Sequence, residues 1–215
     1  IGELVANSTL TRANENRSYL IYEDLAMLLI KQAKQLYLGE SDLEVQLKNN
    51  VFAIDATTID LCLSTFHWAT FRSTKGGIKL HTQLDLKTAI PEFILFSTAS
   101  VHDVNVLDFV SFEANSFYIM DRGYVDYKRL YNIHKRNAFF VTRAKDNMDC
   151  RRLYSHPVDK TNGIIYDQTI MLNGYYTAKY YPEKMRRIKF YDQQTGKTLI
   201  FLTNNFDLTA TEIAQ

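Results

Sequence analysis

Two aspartates, Asp55 and Asp121, stand where chemistry is easiest to see. Each closes a run of four apolar residues: "VFAI" (51–54) leads into Asp55, and "FYIM" (117–120) leads into Asp121. Apolar runs of this length, bounded by polar residues, read as buried strands. Carboxylates at the ends of two adjacent strands would make a hard, oxygen-rich pocket suited to Mg²⁺ or Mn²⁺. Two such ions, about 3.5–4 Å apart, activate an attacking oxygen and stabilise the leaving oxygen of a phosphodiester. Two carboxylates leave much of that positive charge uncompensated, so a third acid is expected. The plain alternative is that each Asp forms a turn or caps a helix.

The elements that must position these acids follow from periodicity. Residues 17–38 put Ile21, Leu25, Leu28, Leu29, Ala33 and Leu36 on one helical stripe, with Gly39 as a stop and Asn14, Asn16 or Ser18 as caps. "VFAID" is a short buried strand that ends at Asp55. "GGIKLHTQLDL" alternates, with Ile78, Leu80, Thr82, Leu84 and Leu86 on one face and His81 on the polar one. "KTAIP" makes a hairpin to the strand "EFILFSTAS". "HDVNVLDFVSF" reads as a helix capped by Asp103, with Val106, Leu107 and Val110 inward. The "FYIMD" strand follows, then a helix at "VDYKRLYNIHKRN" and a strand at "AFFVTRA". The order β, β, β, α, β, α, β is that of a mixed α/β sheet. Ligands of such sheets sit at the carboxyl ends of the parallel strands, where both acids are expected. Residues 146–205 change character: strand-like runs joined by "TNG", "LNG" and "QQTG" suggest an all-β piece set into or onto that sheet.

Composition narrows the class. The chain has 215 residues, 46% hydrophobic, enough for one or two domains with a real core. Eight Gly and three Pro leave little that reads as linker. No stretch is long and apolar enough to span a bilayer, and no signal peptide is visible. Cys62 and Cys150 lack metal-ligand spacing; free thiols in a reducing cytoplasm are expected, with a disulfide as the alternative. The net charge of +1 hides an asymmetry: residues 1–60 carry 5 basic and 9 acidic side chains, residues 122–160 carry 10 basic and 4 acidic. A basic block just after Asp121 favours a polyanion across that end, or is a solvated helix face. The chain opens on Ile1 and closes in "TATEIAQ", the start of a helix, so a fragment is expected.

Other residues are candidates with plain alternatives. Arg122, beside the second acid, could contact a phosphate or a neighbouring acid. Arg143 and Lys145 end the strand after the second helix, at the same edge as the acids, and are candidate phosphate contacts. Lys75 and Lys79 flank "GG" and could meet DNA backbone or only solvent. His81 and His102 could approach a metal, though lone histidines usually pack or face water. Arg151, Arg152, Lys184, Arg186, Arg187 and Lys189 could grip DNA or keep a β surface soluble. Tyr175, Tyr176, Tyr180 and Tyr181 could stack on bases, but their strand spacing favours packing on the sheet. Thr57 and Thr58 serve the turn after Asp55.

"DATTIDL" with "DRGYVDY" resembles the DDE transposases of bacterial insertion sequences, of the IS-four family. "FRSTKGGIKLHTQLDL", "HDVNVLDF", "FFVTRAK" and "RRIKFYDQQTGKTLIFLTNN" resemble that family's catalytic region in the same order, over nearly the whole chain. The resemblance implies a ribonuclease-H-like mixed sheet with flanking helices and a β-strand insertion between the second and third acids. It divides the chain into an N-terminal helical segment (1–48), a core (49–145), a β-rich insertion (146–205) and the start of a C-terminal helix (206–215). By resemblance Asp55 and Asp121 are the first two metal-binding acids, for two Mg²⁺ or Mn²⁺ ions in the complete enzyme. The third is a Glu in a Tyr-x₂-Arg-x₃-Glu-x₆-Lys signature. No Tyr here has Arg three residues on and Glu four beyond that; Glu183 and Glu212 do not fit. The chain is therefore expected to lack its third carboxylate. The implied activity is hydrolysis of a phosphodiester at transposon ends, then transfer of the freed 3′-hydroxyl to the opposite strand or to target DNA. The implied partners are double-stranded DNA and a second copy on paired ends, in a bacterial cytoplasm at the nucleoid. A haloacid-dehalogenase-like phosphatase would need an Asp where Thr57 stands. A non-catalytic DNA-binding relic is the other reading.

Overall fold

The computed structural model describes residues 5–37, 48–62, 64, 67–72 and 75–214. Two compact units divide the chain, Ile1–Glu40 and Ser41–Gln215. The first holds two helices, α1 (Asn7–Asn16) and α2 (Leu20–Leu36). The expected apolar stripe lies on α2, yet neither helix has a buried residue. Of the expected caps, Ser18 accepts from the Leu20 N–H at 3.3 Å. The Gly39 stop lies outside the described residues.

The second unit is built on one mixed sheet. In chain order its elements are β1 (Val51–Leu61), β2 (Thr70–Arg72), β3 (Lys75–Asp85), β4 (Ile90–Thr98), β5 (Phe117–Met120), α3 (Tyr127–Lys135), β6 (Phe139–Arg143), β7 (Cys150–His156), β8 (Ile164–Leu172), α4 (Tyr175–Tyr180), β9 (Met185–Asp192), β10 (Lys197–Thr203) and α5 (Ala210–Ala214). Among the described residues the sheet runs β2-β3-β1-β5-β6-β10-β9-β8-β7, with β4 also on β3. β1, β5 and β6 are parallel, while β3 is antiparallel to β1 and β4 to β3. The strands β4-β3-β1-β5-β6 thus form the expected ribonuclease-H-like mixed α/β sheet. β10 continues it by pairing antiparallel with β6, so residues 150–203 extend the same sheet.

Strand parity divides the core in two. In-register neighbours share a face, so Phe52, Tyr118 and Phe140 form one lateral row and Ile54, Met120 and Thr142 the next. This face packs under Leu130 and Ile133 of α3 and Val106, Leu107 and Val110. The opposite face carries Val51, Phe117 and Val141, which pack with Ile164, Ile188 and Ile213 of α5. Full burial of each such side chain contributes about 1.5–3 kcal/mol.

Several local expectations change in the folded chain. β1 does not end at Asp55; it continues to Leu61 because β3 pairs with it as far as Gly76. "HDVNVLDF" forms a 3-10 stretch, Asp103–Asp108, with His102 at its cap and Val106 and Leu107 buried. Its Val, Asn and Asp residues are weak helix formers. On β3 the polar parity faces inward: His81 and Gln83 are buried, while Leu80 and Leu84 are half-buried. Those polar groups find partners there, His81 Nε2 with Ser97 Oγ at 2.8 Å and Gln83 Nε2 with Glu92 Oε2 at 3.2 Å. The stretch expected as all β contains a helix, α4, because Gly174 turns the chain after β8 and Thr177 Oγ1 donates back to the Gly174 carbonyl. Tyr181 is buried against His134 and Phe140, but Tyr175, Tyr176 and Tyr180 are exposed. Cys62 and Cys150 form no disulfide.

The buried phenols predict an alkaline limit. Burial pushes Tyr118 up to about 12, and Tyr124 and Tyr181 up further. In the unfolded chain phenols ionise near pH 10. Their contribution is thus complete below pH 10 and is lost as pH rises through the native values. The urea midpoint is expected to fall steadily from about pH 10 upward; a midpoint flat to pH 11.5 contradicts this.

Candidate active site

The parallel register decides where the two acids lie. Ile54 pairs with Met120 as the last partners of β1 and β5, so Asp55 and Asp121 take the next position on neighbouring strands, roughly 5 Å apart along the ladder. Both are exposed. Asp55 Oδ1 accepts from the Ala56 N–H at 2.8 Å. Asp121 Oδ1 accepts from the Gly123 N–H at 2.7 Å, capping a 3-10 turn at Arg122–Tyr124. The Asp121 carbonyl accepts from Thr142 Oγ1 at 2.9 Å. Among the described residues neither carboxylate has an ion-pair partner, so the negative charge of the pair stands uncompensated.

A third group reports on both acids. Tyr124 is 2% exposed, and its hydroxyl has no hydrogen-bond partner among the described residues. Its phenol is pushed up by burial and then by the negative charge of Asp103, Asp55 and Asp121. Asp103 itself is engaged by Lys79 at 2.9 Å.

Gly123 is the tightest point of the site. A Cβ there would lie 2.9 Å from Asp121 Oδ1, so the absence of a side chain lets the carboxylate fold over the turn. Gly123→Ala is expected to leave thermal stability almost unchanged, since a carboxylate can rotate away. Divalent-cation affinity should fall about 10–100-fold, as when a ligand loses its orienting partner. Titration with Mn²⁺ checks this, and unchanged affinity refutes it.

The cations are distributed unevenly. Met120 pairs with Thr142, so Arg143 follows Asp121 in the same lateral row, exposed and without an ion pair among the described residues. Arg122 meets Asp146 at 3.3 Å, with both side chains exposed, a contact worth about 0–1 kcal/mol. Lys145 Nζ donates to the Val125 carbonyl at 2.9 Å. Lys79 is withdrawn from solvent: its ammonium pairs with Asp103 and donates to the Val101 carbonyl at 2.8 Å. Lys75 is exposed, 4.0 Å from Asp60. It lies seven residues along β3 from Thr82, the partner of Asp55, or roughly 23 Å away. His81 is buried and its pKa is lowered by burial first; His102 is exposed. Arg186, a candidate for gripping DNA, is instead buried in an ion pair with Asp167. Glu212 accepts from Thr209 N–H and Oγ1, both at 2.7 Å, as a helix-capping residue.

The donor set suits a hard cation. Exposed, unneutralised carboxylates are acceptor-only oxygens, and Mg²⁺ is commonly held by one or two of them with water and substrate phosphate completing the shell. Among the described residues no cluster of three or more His, Cys, Asp or Glu surrounds such a point. Sequence reading missed Thr142 and Gly123 as supports of Asp121. A Gly within two residues of the acid was the available signal, since it marks close backbone approach.

Residues 46–215 match the Transposase DDE domain family. The chain belongs to that family. It is 28% identical over 209 residues to y4zB of Sinorhizobium fredii, named as a transposase, covering 95% of this chain and 56% of that protein. It is 23% identical to the transposase named for insertion sequence element IS5377 of Geobacillus stearothermophilus, covering 96% and 53%. It is 25% identical over 156 residues to the one named for IS4SA of Synechocystis, covering 71% and 43%. The chain spans about half the length of these curated relatives. The acids, Arg122, Arg143 and Lys145 all fall within the part matched to the DDE domain family.

Proposed function

We propose that this chain carries two of the metal-binding acids of a DNA transposase, acting on phosphodiesters at transposon ends. The observation that carries this reading is the register: Asp55 and Asp121 are adjacent, exposed and unneutralised at the carboxyl edge of parallel strands, in a chain of the DDE family. Asp55 and Asp121 would hold Mg²⁺ or Mn²⁺, which supplies Lewis-acid activation of water and of the leaving oxygen when bound. Arg143, in the same row, offsets charge on the phosphate being attacked, and Arg122 meets a phosphate by releasing Asp146. Thr142 and the Gly123 N–H hold Asp121 in place while charge changes around it. Lys75 is too distant for the same phosphate and would touch only DNA that runs along the β1–β3 arm. The substrate is double-stranded DNA, first hydrolysed and then joined through the freed 3′-hydroxyl, with two copies acting on paired ends at the bacterial nucleoid. Among the described residues no helix is long and apolar enough to cross a membrane.

A second reading is favoured by the donor count. With two acids at the site and no Tyr-x₂-Arg-x₃-Glu series in the sequence, the chain by itself would bind DNA without cutting it. A nicking assay on duplex DNA with Mg²⁺ separates the readings, run on this chain and on any longer protein that contains it. Metal-dependent nicks by the longer protein, abolished by chelation, support the transposase; absence of cleavage by both leaves a DNA binder.

A further inference from the structure

Next to Asp121, starting at Arg122, lies a pocket of about 220 Å³, lined by Arg122, Arg143, Lys145, Asp146, Arg187 and Ile200 of β10 among others. Four cations face one anion. Three of them belong to the core edge, but Arg187 comes from β9, in the extension of the sheet. Its Nη2 donates to Gln168 Oε1 at 2.7 Å, its Nη1 contacts Cys150 Sγ at 3.4 Å, and its guanidinium lies 5.2 Å from the Tyr166 ring. Its Nε is buried with no partner among the described residues. Arg122 meets Asp146, but among the described residues no carboxylate pairs with Arg187 or Arg143, so the charge of those two is not offset there. A planar donor fork with an unused N–H suits a tetrahedral oxyanion.

We propose that this pocket binds a second phosphate of the DNA backbone, flanking the one held at Asp55 and Asp121, and that Arg187 is part of it. The proposal rests on the transposase reading above. Arg143 stands between the two positions, next to Asp121 in its row and on the rim of the pocket. A strand crossing the carboxyl edge from β1 toward β9 therefore meets acids first and the pocket second. The sheet extension is thus given a task at the site: it supplies a phosphate anchor that the core strands lack.

The test is the salt dependence of duplex binding, measured by fluorescence anisotropy across a KCl series. Each phosphate neutralised contributes about 0.9 to the slope of log K against log salt. Arg187→Gln is expected to lower the slope by roughly one, and Arg143→Gln to do the same without touching the Gln168 bond. Lys160→Gln, an exposed cation outside the pocket, is expected to leave it unchanged. Weakening by Arg187→Gln that is equal at all salt concentrations, with the slope intact, overturns the proposal in favour of a structural arginine. So does inorganic phosphate that binds the wild type while the duplex slopes of all variants coincide, which makes it a free-anion pocket. A wild-type chain that binds no duplex overturns the DNA reading, and the pocket assignment falls with it.

Discussion

Asp121→Asn is expected to remove divalent-cation binding while leaving the fold intact. The amide keeps the shape of the carboxylate and can still accept from the Gly123 N–H, whose bond is 2.7 Å long. What it loses is the charge, and charge is what distinguishes a Mg²⁺ ligand from a turn former. Asp55→Asn removes the same quantity from the other side of the pair. Loss of a group that only orients a metal ligand costs about 10–100-fold in affinity, so loss of the ligand itself should exceed 100-fold. Mn²⁺ titration followed by calorimetry gives the number, with Asp146→Asn as the comparison. Asp146 is the exposed partner of Arg122 and should change little. Wild-type affinity in Asp121→Asn would show that the two acids are not a metal pair.

Arg186→Met is expected to be the most destabilising single change in the sheet extension. Arg186 and Asp167 are 6% and 4% exposed, and the guanidinium grips the carboxylate through two bonds of 2.8 and 2.6 Å. A third bond reaches the Leu208 carbonyl, which ties the segment before α5 to β9. Removing the cation strands a buried carboxylate, at a cost of about 3–5 kcal/mol. Arg186→Lys should fall in between, because an ammonium cannot reproduce the fork. The double change Arg186→Met with Asp167→Leu should recover much of the loss, since a buried pair replaced by apolar groups is often neutral. Urea unfolding measures all three, and a cost below 1 kcal/mol for Arg186→Met alone refutes the assignment.

Much of the mixed sheet was readable because its strands are short apolar runs whose periodicity survives any context. "VFAI", "FYIM" and "FFVTR" became β1, β5 and β6. The helix α3 was readable for the same reason, as Leu130 and Ile133 repeat at helical spacing and are fully buried. The face of β3 was not. Its alternation pointed Leu80 and Leu84 inward, yet His81 and Gln83 face the core, where half-buried Ser97 and Glu92 of β4 meet their polar atoms. α4 was missed because tyrosines favour strands by local propensity, while the turn at Gly174 and the burial of Tyr181 reverse the chain instead.

By itself the sequence determined that two acids end apolar runs and that a basic block follows the second. Those are properties of neighbours along the chain, and side-chain type with spacing is enough to state them. Only the tertiary structure decided that Asp55 and Asp121 follow the last paired residues of neighbouring strands, that Arg143 follows in the next, and that Arg187 lines a pocket with Arg122 and Arg143 while Arg186 is buried against Asp167. Adjacent residues on a strand face opposite sides of the sheet, so Arg187, in register with Leu202 and Thr142, and Arg186, in register with Thr203 and Val141, are parted by strand pairing, a long-range fact with no local signature.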